Sequence, residues 1–311
     1  MASPLSQGLF DKAIGQSGAF WESENTPSAR PLADAHKAGS ALAAKLGAPS
    51  LAALREVSAL TLQRTTNWTL RTDPGVTHWA PVIDGLVLPE SPYDRYAKGL
   101  QMKLPLLVGW NASEGLPLFA NRSLMWAPPG APAKTVADFR AAAQAKFGAD
   151  RLDEFLSLYP GATLEQAQRS ANQLIGDEAI AYQVWAWAVA QQRTAGTPVY
   201  VYHFTHRSAF LPLAMHTAEI PFAFGDLSGG FATGPKSAVV PGPDDLLLAE
   251  RMSSFWINFA RSGNPNGDGL PQWPRFEGPG SQVIQLNSAP GPVADPDVAR
   301  HRFLHRWKSR E

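Results

Sequence analysis

Residues 104–115 have the sequence LPLLVGWNASEG, in which an apolar run ends at a glycine and an acidic residue follows. The uninterrupted run 104–108 is typical of a central parallel strand that is buried on both faces. Active groups of open α/β sheets collect at the carboxyl ends of such strands, and Glu114 comes shortly after this one. An isolated glutamate could instead complement the dipole at a helix N-terminus. The strand before it and the glycines around it favour a functional carboxylate.

Residues 214–222 have the sequence AMHTAEIPF and supply a second candidate, His216. Histidine titrates near neutral pH and can therefore act as a general base without a large shift of its pKa. An acid after a strand, followed along the chain by a histidine on a loop, matches the second and third members of a Ser–Glu–His triad. We therefore predict that Glu114 is the triad acid and that His216 is the triad base.

The first member of this triad is not found. No G-x-S-x-G motif, which marks a nucleophilic serine on a strand-to-helix turn, occurs in the 311 residues. Ser17 comes nearest, in the string GQSGA, but the last position of that string is Ala19 and no helix is predicted to follow at once. Ser17 is therefore predicted to be a supporting hydroxyl or a turn residue, and a nucleophile is the less favoured alternative.

The other histidines of the seven carry weaker signals. His203 lies in a stretch rich in strand-forming residues and is predicted to belong to the core. His206 is near His216 in the sequence, but it has no second histidine and acid at a metal-binding spacing. The rest have no acidic or glycine-rich sequence context: His36, His78, His301 and His305. We predict no metal site and no cofactor.

The composition is that of an ordinary globular protein with a substantial core, with 44 % apolar and 17 % charged residues. Basic and acidic residues both number 27, so the net charge is zero, and there is no basic block to attract nucleic acid or an anionic membrane. Cysteine is absent, which excludes disulfides and thiolate metal sites. No apolar run approaches the roughly 18 residues of a membrane span. The sequons at Asn67, Asn111 and Asn121 are taken as chance, because a glycan on Asn111 would block Glu114.

Strands alternate with helices along the chain, which predicts an α/β sheet. The predicted strands are residues 11–18, 81–85, 104–108, 198–204 and 283–286. The predicted helices are residues 32–46, a short helix capped by Ser50, and residues 136–147, 152–159, 164–193, 244–261 and 295–307. No linker divides these elements, and the Gly/Pro-rich segment 228–243 is predicted to be a surface loop. Residues 1–311 are therefore treated as belonging to a single domain.

Several blocks of this sequence, in this order, resemble the type-B carboxylesterase/cholinesterase family. They are SPLSQGLF (3–10), AIGQSG (13–18), PVIDG (81–85), residues 105–115, MHTAEIPFAFG (215–225), and FWINFARSGNPN (255–266) with WP (273–274). Each block is weakly specific alone, but together they span nearly the whole chain. The resemblance implies an α/β-hydrolase fold and a serine carboxylic-ester hydrolase that works through an acyl-enzyme. It implies a small-molecule carboxylic ester as substrate and no cofactor.

The resemblance also implies roles for particular residues. Glu114 and His216 match the triad acid and base, and Ser17 matches a serine that supports the acid through a hydrogen bond. Phe20 and Trp21 fall where the acyl pocket is usually lined. This sequence departs from the family at three further positions. Ser113 stands where an aspartate often precedes the acid, and Leu213 and Thr217 replace glycines that are common around the histidine.

In the family, the block that begins here at Ser3 follows the helix of the nucleophile, which implies a nucleophile turn roughly three helical turns upstream of Met1. We therefore expect that turn, and a glycine-rich oxyanion loop, upstream of Met1. On this view residues 1–311 are the C-terminal portion of an incomplete domain, inactive alone, whose partner is the missing N-terminal part. A non-catalytic binding module on the same fold and a truncated, inactive product remain alternatives. A paired acid and histidine argue against the binding module, which would have no use for both.

Overall fold

The computed structural model describes residues 1–19, 29–66, 81–115, 133–228 and 239–309. Phe20 and Trp21, which the resemblance assigns to an acyl pocket, lie outside these ranges. The strands are β1 (Ala13–Gln16), β2 (Arg30–Pro31), β3 (Val82–Ile83), β4 (Leu106–Asn111), β5 (Val199–Phe204), β6 (Gln282–Leu286) and β7 (Gly291–Ala294). The α-helices are α1 (Leu32–Lys45), α2 (Leu51–Arg55), α3 (Ala59–Thr65), α4 (Pro92–Ala97), α5 (Val136–Phe147), α6 (Leu152–Leu158), α7 (Leu164–Gly176), α8 (Tyr182–Ala195), α9 (Ile220–Phe224), α10 (Pro243–Ser262) and α11 (Val298–Ser309).

The main sheet has five described strands in the order β1-β4-β5-β6-β7. The first four are parallel, and β7 runs antiparallel to β6. Val108 is level with Gly15 on one side and with Val201 on the other. The carboxyl ends of β1, β4 and β5 therefore meet at one edge of the sheet, and the segments that carry Ser17, Glu114 and His216 all leave from that edge.

Strands β4 and β5 are buried along their whole length. Alternate side chains enter two separate apolar clusters, because successive residues of a strand face opposite sides of the sheet. On one side Val108 and Trp110 pack with residues of α8 such as Trp185. On the other side Leu107 and Tyr202 pack with residues of α10. Because both faces are covered, the two strands are mostly apolar, with Asn111 and His203 as their buried polar residues.

The α/β class and the mostly parallel sheet predicted from the sequence are confirmed. Helix α5 has the predicted bounds, 136–147. The predicted strand 104–108 instead starts at Leu106 and runs to Asn111, which brings its end close to Glu114. Strand β7 was not predicted, since it contains Gly291 and Pro292, residues that weaken a strand signal and are tolerated at a sheet edge. The last helix begins at Val298, later than the predicted 295.

The predicted helix 164–193 is interrupted. Helices α7 and α8 are joined by a π turn, Asp177–Ala181, that the apolar periodicity did not reveal. The wider turn leaves Asp177 fully buried, where it accepts hydrogen bonds from Gln173, from the Tyr159 hydroxyl and from Arg300. Insertions of this kind are often found near functional sites. This one lies against the loop that carries Glu114, as described below.

A buried polar cluster joins helix α11 to the π turn and to β4. Arg300 donates to Asp177 at 2.7 Å and to Asp297 at 2.5 Å, and Trp110 Nε1 donates to Asp297 at 2.9 Å. His301, which had no acidic context in the sequence, packs edge-on against Trp110 here. Burial lowers the pKa of His301 to about 3, so its ring is neutral. His203 is buried in the same region, as its prediction as a core residue implied.

Within the described ranges, no helix has the length and apolarity needed to cross a membrane.

Candidate active site

Glu114 and His216 are brought together at the carboxyl edge of the sheet. Nδ1 of His216 lies 2.7 Å from Oε2 of Glu114. A carboxylate only accepts hydrogen bonds, so the proton of the neutral ring sits on Nδ1 and Nε2 is left as the basic nitrogen. The Glu114 side chain is 1 % exposed and that of His216 is 23 % exposed. The pair therefore has a buried acid and a histidine that solvent can still reach.

The other oxygen of Glu114 is held by two donors. Its Oε1 accepts the hydroxyl of Ser17 at 2.6 Å and the backbone N–H of Asn111 at 2.7 Å. Both donors belong to strand ends, one after β1 and one at the end of β4. These two contacts hold the carboxylate group in one orientation, with Oε2 directed at His216.

Ser17 reaches Glu114 because the chain turns sharply at the end of β1. Its φ angle is +49°, in the left-handed region that non-glycine residues rarely occupy. Its backbone N–H still donates to Gly109 O at 3.0 Å, which continues the pairing of β1 with β4. A conformation of this kind costs of order 1 kcal/mol or more and persists where the surroundings enforce it. Here the surroundings aim the hydroxyl at Oε1 of Glu114.

The histidine segment runs beside the acid segment. Ser113 and Met215 form a parallel bridge, and the Ser113 N–H donates to Ala214 O at 2.9 Å. Directly after His216, Thr217 has a φ angle of +73°. This angle explains why a glycine suits the position, since a β-branched residue in the left-handed region is strained.

The acid segment also packs closely on helix α7. A Cβ built on Gly115 would lie 1.9 Å from Asn172 O, and one on Gly176 would lie 2.5 Å from Gly115 N. Both distances are shorter than any real contact, so only glycine fits at either position without a backbone shift. Gly176 is the last residue before the π turn. The glycine pair therefore fixes the Glu114 backbone against the helical layer.

Burial opposes the positive charge of a protonated His216, but the hydrogen bond and the negative charge of Glu114, aided by Glu219, outweigh it. The pKa of His216 is therefore raised above its ordinary value of 6.5. Such a shift is what a general base needs to accept a proton near neutral pH.

Sequence reasoning gave no role to Glu219 or to the side chain of Asn111. Glu219 is 1 % exposed, and its carboxylate accepts from Asn111 Nδ2 at 2.5 Å and from Gln16 Nε2 at 3.2 Å. Burial raises the pKa of the Glu219 carboxyl, and the nearby charge of Glu114 acts in the same direction. The available signal in the sequence was an acidic residue three positions after His216. The sequence marks Asn111 only as part of a sequon, whereas in the fold the residue is 1 % exposed.

His206 belongs to a second buried pair. Its Nε2 lies 2.7 Å from Oδ1 of Asp245, near the start of α10, and Ser208 donates to the same oxygen at 2.7 Å. Phe222 packs edge-on against the His206 ring. These contacts anchor the segment after β5 that leads toward His216.

Among the described residues, no group of three or more His, Asp or Glu side chains could hold a metal ion.

The sheet and the acid–histidine pair define an α/β-hydrolase. The solved structure of a PNB esterase is similar to this chain, with a TM-score of 0.69 and 26 % sequence identity. The match covers 97 % of this chain and 59 % of the esterase chain. A thermophilic PNB esterase is similar over 97 % of this chain and 59 % of its own chain, with a TM-score of 0.71 and 26 % sequence identity.

The model of the carboxylesterase family matches residues 1–302, and the chain belongs to that family. The family predicted from the sequence blocks is thereby confirmed.

Curated relatives include the fumonisin B1 esterase of Sphingopyxis macrogoltabida. It is 32 % identical over 96 % of this chain and 53 % of the relative. The para-nitrobenzyl esterase of Bacillus subtilis (strain 168) is 26 % identical over 98 % of this chain and 58 % of the relative. The chain thus spans a little more than half the length of these relatives. Both are similar to it across nearly all of its residues.

Proposed function

We propose that this protein acts as a serine carboxylic-ester hydrolase in which Glu114 is the acid and His216 the base of the triad. The observation that carries the proposal is the 2.7 Å contact between His216 Nδ1 and Glu114 Oε2. That contact fixes the tautomer that leaves Nε2 free to take a proton. The chemistry of the carboxylesterase family supports the same reaction class.

In the proposed reaction a serine hydroxyl attacks the ester carbonyl while His216 Nε2 takes its proton. The imidazolium that forms is stabilised by Glu114. His216 then returns the proton to the leaving alkoxide, the alcohol departs, and the serine carries the acyl group. A water molecule attacks the acyl-enzyme with His216 again as base, which releases the carboxylic acid and restores the serine.

We place the nucleophile on a G-x-S-x-G turn outside the 311 residues. The chain has no such motif, and its family relatives are nearly twice as long. Ser17 is a poor candidate because its hydroxyl donates to Glu114 rather than to the free nitrogen of His216. On this proposal residues 1–311 form part of one α/β-hydrolase domain. The N-terminal remainder would supply the serine and the oxyanion donors.

We propose small-molecule carboxylic esters as substrates, since the relatives are named for ester hydrolysis. Phe20 and Trp21 are proposed to line the acyl side of the pocket. A non-catalytic binding module is the alternative, and the fixed tautomer of His216 weighs against it.

The test begins with the DNA upstream of the Met1 codon, translated in frame and searched for G-x-S-x-G. The extended protein and the 311-residue chain are then compared for hydrolysis of a p-nitrophenyl ester. We expect turnover by the extended protein and only background rates from the shorter chain. If the upstream reading frame lacks the motif, or if the extended protein has no esterase activity, the proposed function fails and a truncated inactive product or a binding module is left.

A further inference from the structure

We propose that Asn111 and Glu219 are positioning residues that lock the histidine loop, residues 213–219, onto the acid loop, residues 112–115. The inference rests on the proposed esterase function where it is tested by enzyme kinetics. The titration of His216, which is also used to test it, does not depend on that function.

Asn111 touches both loops at once. It is the last residue of β4, and its backbone N–H donates to Glu114 Oε1 at 2.7 Å. Its side-chain Nδ2 donates to Met215 O at 2.7 Å and to Glu219 Oε2 at 2.5 Å. The two side-chain contacts lie on either side of His216 in the sequence. One residue therefore sets the distance between the acid and the segment that carries the base.

Glu219 fixes the orientation of the Asn111 amide. A carboxylate is an acceptor only, so it must face the NH₂ group, and the carbonyl oxygen of Met215 makes the same demand. With both hydrogens of Nδ2 engaged, the amide has one allowed orientation. A neutral acceptor at position 219 could be satisfied in more than one way, and the loop would then be less tightly fixed.

The hydrogen bonds of Glu219 continue through strand β1 to helix α10. Gln16, at the end of β1, donates to Glu219 Oε1 at 3.2 Å and accepts from Trp256 Nε1, on α10, at 2.9 Å. A single hydrogen-bonded chain thus joins β1, β4, the histidine loop and α10. Within the described part of the molecule no lysine or arginine forms an ion pair with Glu219. A buried carboxylate held only by amides is costly, which is unexpected for a residue whose sole task is packing.

The charge of Glu219 has a second consequence at the base. The charged and titratable groups that face this region are Glu114, Glu219, His216 and the buried phenol of Tyr202. Both carboxylates favour the protonated form of His216 and so raise its pKa, against the effect of burial. Substitution of Glu219 should therefore change the pH dependence of the activity as well as the turnover.

The test uses four variants of the extended protein: Asn111→Asp, Glu219→Gln, the double variant that exchanges the two groups, and Asn287→Leu as control. In the described part of the chain, the Asn287 side chain donates to Gln285 and accepts from the Ala289 N–H, in the connection between β6 and β7. We measure kcat and KM on p-nitrophenyl acetate against pH. The pKa of His216 is measured by NMR of protein with labelled histidines.

We expect Asn111→Asp to lower kcat by about 10²-fold, because it places two carboxylates together and loosens the loop. The double variant restores one hydrogen bond and should recover about tenfold of that loss. Glu219→Gln keeps the size of the side chain and should move the acid limb of kcat/KM, and the NMR pKa of His216, to lower pH. Asn287→Leu should leave kcat, the acid limb of kcat/KM and the NMR pKa of His216 unchanged.

A Glu219→Gln variant that folds and leaves both the acid limb of kcat/KM and the His216 titration unchanged would overturn the inference. So would a double variant no more active than Asn111→Asp. If the unmodified extended protein hydrolyses no ester, the proposed function fails. The NMR titration of Asn111→Asp then tests the positioning claim without turnover: the added negative charge alone would raise the pKa of His216, whereas a loosened His216–Glu114 contact lowers it, and a raised pKa would contradict the claim.

Discussion

His216 and Glu114 meet through one oxygen of the carboxylate, Oε2, at 2.7 Å, while Oε1 is occupied by donors from two strand ends. The two oxygens therefore have separate partners: two donors hold the Glu114 carboxylate in place, and Oε2 stays available to orient the His216 ring. Two kinds of substitution can therefore be distinguished. Some remove the contact between Glu114 and His216, and others remove only a hydrogen bond to Oε1 of Glu114.

Substitution of either member of the pair should abolish most turnover. In the extended protein we expect Glu114→Gln and His216→Ala each to lower kcat by about 10³-fold or more with little change in fold. Glu114→Gln would favour the wrong tautomer of the ring, and His216→Ala removes the base. Steady-state kinetics on a p-nitrophenyl ester, with circular dichroism as the folding control, provide the check. Near-normal turnover by either variant would contradict the assignment.

Ser17→Ala should have a milder effect than loss of Glu114. The substitution removes one of the two donors to Oε1, while the Asn111 N–H remains. We expect kcat to fall by about tenfold, which corresponds to about 1.4 kcal/mol. A loss as large as that of Glu114→Gln would show that Ser17 does more than support the acid.

The activity should have an acid limb above pH 6.5. Burial lowers the pKa of His216, but Glu114 outweighs this effect and raises it above 6.5. Since kcat/KM requires the neutral ring of the free enzyme, the rate should fall as pH drops through that raised value. An acid limb centred below 6.5 would contradict the electrostatic account.

The same shift predicts how the pair affects stability. The pKa of His216 is higher in the folded state than in the unfolded chain, so folding favours proton binding. The stabilisation is fully present below the unfolded value, about 6.5, and is lost as pH rises through the folded value. Denaturant titrations of the wild-type protein and His216→Ala across this window should show the difference between them shrinking at higher pH.

Thr217→Gly should stabilise the fold. The residue has a φ of +73°, which a β-branched side chain disfavours and glycine accepts. We expect the free energy of unfolding to rise by about 1 kcal/mol, with activity retained. Ala218→Gly is the matched control, because Ala218 has no positive φ and glycine there should destabilise. A destabilised Thr217→Gly would mean that the threonine makes compensating contacts.

The residues predicted from the sequence are those with a local signature. Glu114 follows a buried strand, His216 lies in a recognisable loop, and Ser17 ends a strand in a family block. The lock between Asn111 and Glu219 could not be predicted in the same way. Its partners come from β4, β1 and α10, and only the folded sheet brings these elements together. The π turn after Gly176 was not predicted because its residues keep helix-like apolar spacing, and the close approach of Gly176 to Gly115 is a contact between segments distant in the sequence.

Covalent labelling with a fluorophosphonate, followed by mass spectrometry, tests most directly the claim that Glu114 and His216 serve a serine outside the 311 residues. The account predicts one adduct per molecule of the extended protein, on the serine of a G-x-S-x-G motif. It predicts no adduct on the 311-residue chain and no ester hydrolysis by it above background. An adduct on Ser17, or ester turnover by the 311-residue chain as a monomer, would contradict it.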